Sequence, residues 1–159
     1  NDFNAAYGTD LISVKKIHFE PLGIYAGKKS NLDDIKPTDK IAIPNDTSNK
    51  ARAIDLLSEH GLEGCELIEM EAQSIPTTLS DVEYAVINGN YALSSNVISK
   101  VIVTESAESA IANTMANIIA VKKGNENKPA INLLIEAICR DEIKDYIRLT
   151  FGSSVIPMF

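Results

Sequence analysis

The chain has 159 residues, 45% of them hydrophobic, and carries 15 Lys and Arg against 22 Asp and Glu, a formal net charge of −7. This is enough to bury a core in one domain or two small lobes, and the acidic balance argues against nucleic acid, whose binding rests on Lys and Arg neutralising phosphates. No stretch approaches the roughly 20 apolar residues of a membrane-spanning helix, and two His with two Cys outside any CxxC spacing give no zinc pattern and read as free thiols and isolated imidazoles.

Phe3 and Tyr7 stand four apart with Gly8 behind them, the spacing of a helix's last turns and its stop, so the chain reads as continuing something upstream. Residues 11–17 and 21–26 read as strands, and 31–35 as a short turn of helix capped by Ser30 or Asn31. Residues 40–43 form a buried strand and 49–60 a helix that turns Ala53, Ile54, Leu56 and Leu57 to the core, with Gly61 as its left-handed stop. Strands follow at 66–70, 84–87, 100–104 and 117–122, with a helical turn at 78–82 and an Ala-rich helical stretch at 106–113. The longest helical pattern covers 128–151, with Pro129 in its first turn, a break at Arg140-Asp141 and Gly152 at its end. Strands alternating with helices predict an α/β fold with a mostly parallel sheet.

The segment with the most chemistry is Ile41-Ala-Ile-Pro-Asn-Asp-Thr-Ser-Asn-Lys-Ala-Arg52. An apolar strand runs through a short polar loop into a helix with an arginine in its first turn. The first N–H groups of a helix lack intrahelical partners and carry partial positive charge, and a guanidinium matches a carboxylate's two oxygens. Arg52 is therefore a candidate carboxylate ligand, or else a surface arginine paired with Asp55 or Glu59. Asn45 follows the strand at its carboxyl end, where open α/β sheets bind ligands; Asn49, Ser48 and Thr47 are candidate helix caps. Asn88 ends the strand at 84–87 and is either a turn residue of Asn-Gly or an amide offered to a zwitterion. Asn117 opens an apolar strand, where a buried Asn needs partners. His18 is either a structural histidine or a pocket residue. No G-x-S-x-G elbow, Cys–His arrangement or metal pattern points to catalysis, and no cofactor is expected.

Five motifs occur in order: His18-Phe-Glu-Pro-Leu-Gly-Ile-Tyr25, Ile43-Pro-Asn-Asp-Thr-Ser-Asn-Lys-Ala-Arg52, Ala85-Val-Ile-Asn-Gly-Asn-Tyr-Ala92, Ala116-Asn-Ile-Ile-Ala-Val-Lys122 and Val155-Ile-Pro-Met-Phe159. Together they resemble the NlpA/methionine-binding lipoprotein family, the substrate-binding components of bacterial methionine ABC importers. The resemblance implies a two-lobed periplasmic-binding-protein fold with a hinge, its first lobe incomplete here because family members carry an additional N-terminal region. It divides the chain into 1–20, a remnant of lobe one and the approach to the hinge; 21–88, lobe two; 89–115, a return segment and hinge; and 116–159, a C-terminal contribution to lobe one. It implies capture of L-methionine or a related amino acid by His18, Asn45, Arg52, Asn88 and Asn117, delivery to an ABC permease, and an extracytoplasmic location on a membrane lipid anchor that neither Cys65 nor Cys139 provides. The alternatives are a truncated paralogue acting as an interaction module, or a binder of another amino acid or a small peptide. The family more often has Ser-Pro-Tyr-Ala-Asn where this chain has Thr114-Met-Ala-Asn117.

Overall fold

The computed structural model describes residues 2–159. Two compact units emerge: the chain up to Phe19 together with Ala110–Phe159, and Glu20–Ser109 between them. The backbone thus passes from one unit into the other at 19/20 and returns at 109/110.

The unit Glu20–Ser109 is built on a five-stranded sheet. Its strands are β2 (Leu22–Ala26), β3 (Lys40–Pro44), β4 (Glu66–Met70), β5 (Tyr84–Asn88) and β6 (Val101–Thr104), in the order β4-β3-β5-β2-β6. The longest helix here, α2 (Thr47–Glu59), links β3 to β4, and α3 (Gly89–Ser94) follows β5 directly. Side chains alternate along each strand, so the sheet is buried on both faces. Ile41, Ile43, Tyr84, Val86, Leu22 and Ile24 pack with Ala53, Leu56 and Leu57 of α2. Ala42, Ala85, Ile87 and Tyr25 pack on the opposite face with Ile75, Leu79, Val82 and Ala92. Ile75 belongs to a 3-10 turn, Ala72–Thr78, which lies earlier than the helical turn expected at 78–82. Ile54, expected in the core, is 39% exposed, and Arg52 takes a place on the buried face of α2 instead.

The expectation of mostly parallel sheets is corrected. Only β4-β3-β5 is parallel; β2 runs antiparallel to both β5 and β6. A crossover helix fixes parallel direction where it joins sheet neighbours, as α2 joins β3 to β4, whereas β2 sits between strands remote from it in sequence. Residues 31–35 form no helix: the Asn31 side chain accepts from the Asp33 backbone N–H at 3.2 Å and closes a turn instead.

The second unit carries β1 (Leu11–Phe19), β7 (Asn117–Lys122) and β8 (Ile156–Pro157) in the antiparallel order β7-β1-β8, with α1 (Asp2–Tyr7), α4 (Ala110–Met115), α5 (Pro129–Ile138) and α6 (Asp141–Phe151). The long helical pattern breaks at the expected place, between Ile138 and Asp141, and Gly8 and Gly152 end α1 and α6 at φ +60° and +54°. Neither α5 nor α6 has a buried residue, and Leu133, Tyr146 and Leu149 are 65%, 59% and 87% exposed. The two units therefore differ in core: the five-stranded sheet has a closed one on each face, and the three-stranded sheet does not.

The loop from β2 to β3 is tied by charge. Lys29 Nζ meets Asp39 Oδ2 at 2.6 Å, and the same oxygen accepts from the Lys36 backbone N–H at 2.9 Å. The lysine hydrogen bond, seconded by that of Lys36, holds the Asp39 carboxyl below its ordinary value against the opposing effect of burial. A carboxyl lowered on folding contributes stability that is complete above its unfolded value of about 3.9 and is lost as pH falls through the folded value. In acid titrations followed by circular dichroism, Asp39→Asn should remove part of the stability loss below about pH 4; an acid limb identical to that of the wild type would show that the pair is not linked to folding.

Candidate functional site

β3 and β5 lie side by side and parallel, so their carboxyl ends open on one edge of the sheet. The first turn of α2, the end of β5, the start of β2 and the residue after β6 all meet there. Asp46 caps α2, its Oδ1 accepting from the Asn49 backbone N–H at 3.0 Å, while Asn49 Nδ2 donates to Asp46 Oδ2 at 3.1 Å. The helix thus begins two residues earlier than expected and is capped by none of Thr47, Ser48 and Asn49. The anion at its amino end is the chain's own aspartate.

Arg52 lies one turn further on and is 7% exposed. Its Nε donates to Glu105 Oε1 at 3.1 Å and its Nη2 to Glu105 Oε2 at 2.5 Å, a bidentate fork. Nη2 also donates to the Glu20 carbonyl at 3.1 Å, and Nη1 to Asn49 Oδ1 at 2.9 Å. Glu105 is equally committed. Its Oε2 accepts from the Leu22 N–H at 2.7 Å, and its backbone N–H donates to the Leu22 carbonyl at 2.9 Å. One carboxylate therefore joins the start of β2, the end of β6 and the second turn of α2.

Asn88 is the last residue of β5, in register with Leu22, and is 7% exposed. Its Nδ2 donates to Asn49 Oδ1 at 3.4 Å, and its Oδ1 is buried without a hydrogen-bond partner. It makes no side-chain cap bond to α3, so turn chemistry does not account for its amide. The Gly89 N–H is held by the Pro21 carbonyl at 3.0 Å.

The structure brings Arg52 and Asn88 together through Asn49. It overturns the reading of Arg52 as a surface residue paired with Asp55 or Glu59, because Arg52 lies on the apolar side of α2 and its partner is 53 positions away. It also places Glu105 on the guanidinium edge expected to hold a ligand's carboxylate. Asn45, just past β3, is exposed, and its backbone N–H donates to the Met70 carbonyl at 2.9 Å. His18 and Asn117 belong to the other unit, where they are register partners across β1 and β7. Asn117 is exposed, not buried as its apolar strand suggested, because β7 leaves most of its side chains uncovered. Asn49 and Glu105 are the residues that sequence reasoning missed. Asn49 was visible only as a cap, and no local pattern distinguishes Glu105 from other acids in the segment after β6.

A family model described as NlpA lipoprotein matches residues 1–66 and 63–159. The chain belongs to the NlpA lipoprotein family. It is 31% identical to Membrane lipoprotein TpN32 of Treponema pallidum over 98% of its own length and 65% of that protein's, so it spans just under two thirds of this curated relative. Among solved structures, a nutrient binding protein from Burkholderia cenocepacia bound to methionine superposes with a TM-score of 0.86 at 30% identity, covering 99% of this chain and 74% of that one. A periplasmic substrate-binding protein of an ABC transporter from Coxiella burnetii gives 0.86 at 27% identity with the same coverage. The α/β fold of this NlpA-family chain is thus that of periplasmic substrate-binding proteins, and these relatives are named as lipoproteins and binding proteins, not enzymes.

Removing one partner of a buried ion pair leaves the other charge uncompensated, at about 3–5 kcal/mol. Glu105→Gln should destabilise the chain on that scale in urea denaturation; a loss under about 1 kcal/mol, the range of an exposed pair, would contradict the burial described.

Proposed function

We propose that this NlpA-family chain is the substrate-binding part of an extracytoplasmic lipoprotein that captures an amino acid, L-methionine, for delivery to an ABC permease. The observation that carries the proposal is the pairing of a buried guanidinium with a buried, unsatisfied amide carbonyl at the carboxyl edge of the sheet. A zwitterion is complementary to both. Its ammonium donates to Asn88 Oδ1, and Arg52 addresses the carboxylate through Nη1, the nitrogen that also donates to Asn49. No bond of the ligand is broken, so binding needs no nucleophile, acid or base. Methionine is favoured over other amino acids by the Burkholderia relative, whose structure holds it. His18, Asn45 and Asn117 enter as ligand contacts on the family resemblance, and the permease and the membrane anchor enter on the relatives' descriptions as an ABC transporter component and a membrane lipoprotein.

The test is titration calorimetry with L-methionine against the wild type and Asn88→Ala. A hydrogen bond to a charged group is worth about 1.5–3 kcal/mol, so the variant should bind roughly tenfold or more weakly. Its thermal midpoint should not fall, since the amide it loses is only half satisfied. No heat of binding with the wild type, or equal affinities for the two proteins, would contradict the proposal.

A further inference from the structure

The amide of Asn88 has a fixed polarity, and that polarity has a source. Arg52 is donor-only. Its Nη1 at 2.9 Å therefore requires Asn49 to present Oδ1, which leaves Asn49 Nδ2 for the Asp46 carboxylate at 3.1 Å, an acceptor-only partner. Both ends of the Asn49 amide are thus matched to neighbours of opposite hydrogen-bonding sense, and turning it over would set donor against donor and acceptor against acceptor. Asn88 inherits this choice. With Asn49 Oδ1 at 3.4 Å, Asn88 must offer Nδ2, because its Oδ1 there would face another oxygen. The remaining end of the Asn88 amide is then a carbonyl, buried and without a partner. A buried acceptor left unsatisfied costs about 1–3 kcal/mol, a cost relieved only by a donor.

Building on the function proposed above, we infer that Asn49 is a specificity-determining positioning residue: by locking the Asn88 amide with its carbonyl toward the ligand, it makes the site select molecules with a positively charged nitrogen and reject otherwise identical carboxylic acids without one. Asn49 need not touch the ligand. It passes the donor-only character of Arg52 through one amide to the next, so a cation on α2 specifies an acceptor at the end of β5. Glu105 stands at the head of the relay, since its bidentate hold fixes the plane of the guanidinium. Without Asn49 the oxygen that holds Asn88 Nδ2 is lost, so the amide can turn over by half a turn and offer its NH₂ to a ligand's carboxylate.

The inference distinguishes two substitutions. Asn49→Asp keeps an oxygen for both Arg52 Nη1 and Asn88 Nδ2 but loses the donor to Asp46 and sets two carboxylates together, so it should weaken the helix start while preserving the Asn88 polarity. Asn49→Ala removes the lock. Affinities for L-methionine and for its des-amino analogue, 4-(methylthio)butanoic acid, should be measured by calorimetry on wild type and both variants, with thermal midpoints recorded in parallel. The wild type should prefer methionine by roughly a hundredfold or more, as expected when a buried polar group is left unpaired by the analogue. Asn49→Ala should narrow that ratio at least about tenfold, and Asn49→Asp should keep it within about threefold of wild type despite a lower thermal midpoint. A ratio unchanged in Asn49→Ala, or one that collapses equally in Asn49→Asp, overturns the inference and leaves the proposed function standing. A wild type that binds neither compound overturns both.

Discussion

The Arg52–Glu105 ion pair is the constraint on which the site depends. It is buried and bidentate, and each partner is anchored again, Arg52 to the Glu20 carbonyl and Glu105 to the Leu22 N–H. Burying two charges is expensive, and the attraction between them offsets that cost only when geometry and additional hydrogen bonds are good. Such a pair adds little net stability over a hydrophobic one. What it does is make alternatives costly, because any shift of β2, β6 or α2 that separates the partners leaves a bare charge in the interior. The pair therefore holds in register three elements that converge on the sheet's carboxyl edge.

The polar groups downstream follow from that register. Asn49 is oriented by Arg52 and by the cap residue Asp46, and Asn88 is oriented by Asn49. Binding proteins gain affinity when their polar groups are placed before the ligand arrives, since less ordering remains to be done on association. The unsatisfied carbonyl of Asn88 is a small local instability maintained by the larger network around it. This is where physical reasoning expects function: a site where local satisfaction is incomplete while the surrounding structure is over-determined.

Much of the local structure was legible in the sequence, for identifiable reasons. Glycines at 8, 61 and 152 do stop helices, each at positive φ. The break at Arg140-Asp141 showed as a charged pair interrupting a long helical pattern, and the buried strand at 40–43 showed as an apolar run before a polar loop. Strand direction was not legible. β2 lies between β5 and β6, which come some 60 and 80 positions later, and nothing local records that pairing. The two-residue strand β8 was too short to carry a pattern. Of the site, Arg52 and Asn88 stood out by residue type and placement, while Glu105 did not, because a buried acid after a strand looks like a solvated one until its partner is known. The exposed Ile54 and buried Arg52 have the same origin: tertiary partners displaced the simple apolar stripe of α2.

A double-mutant cycle measures the central claim most directly: Arg52→Met, Glu105→Gln and the two combined, each unfolded in urea beside the wild type. Either single change strands a buried charge and the combination strands none, so the combined loss should fall short of the sum by about 1.5–3 kcal/mol. Losses that add within about 0.5 kcal/mol would mean that the two side chains do not depend on one another, and the account of a site organised by their pairing would be wrong.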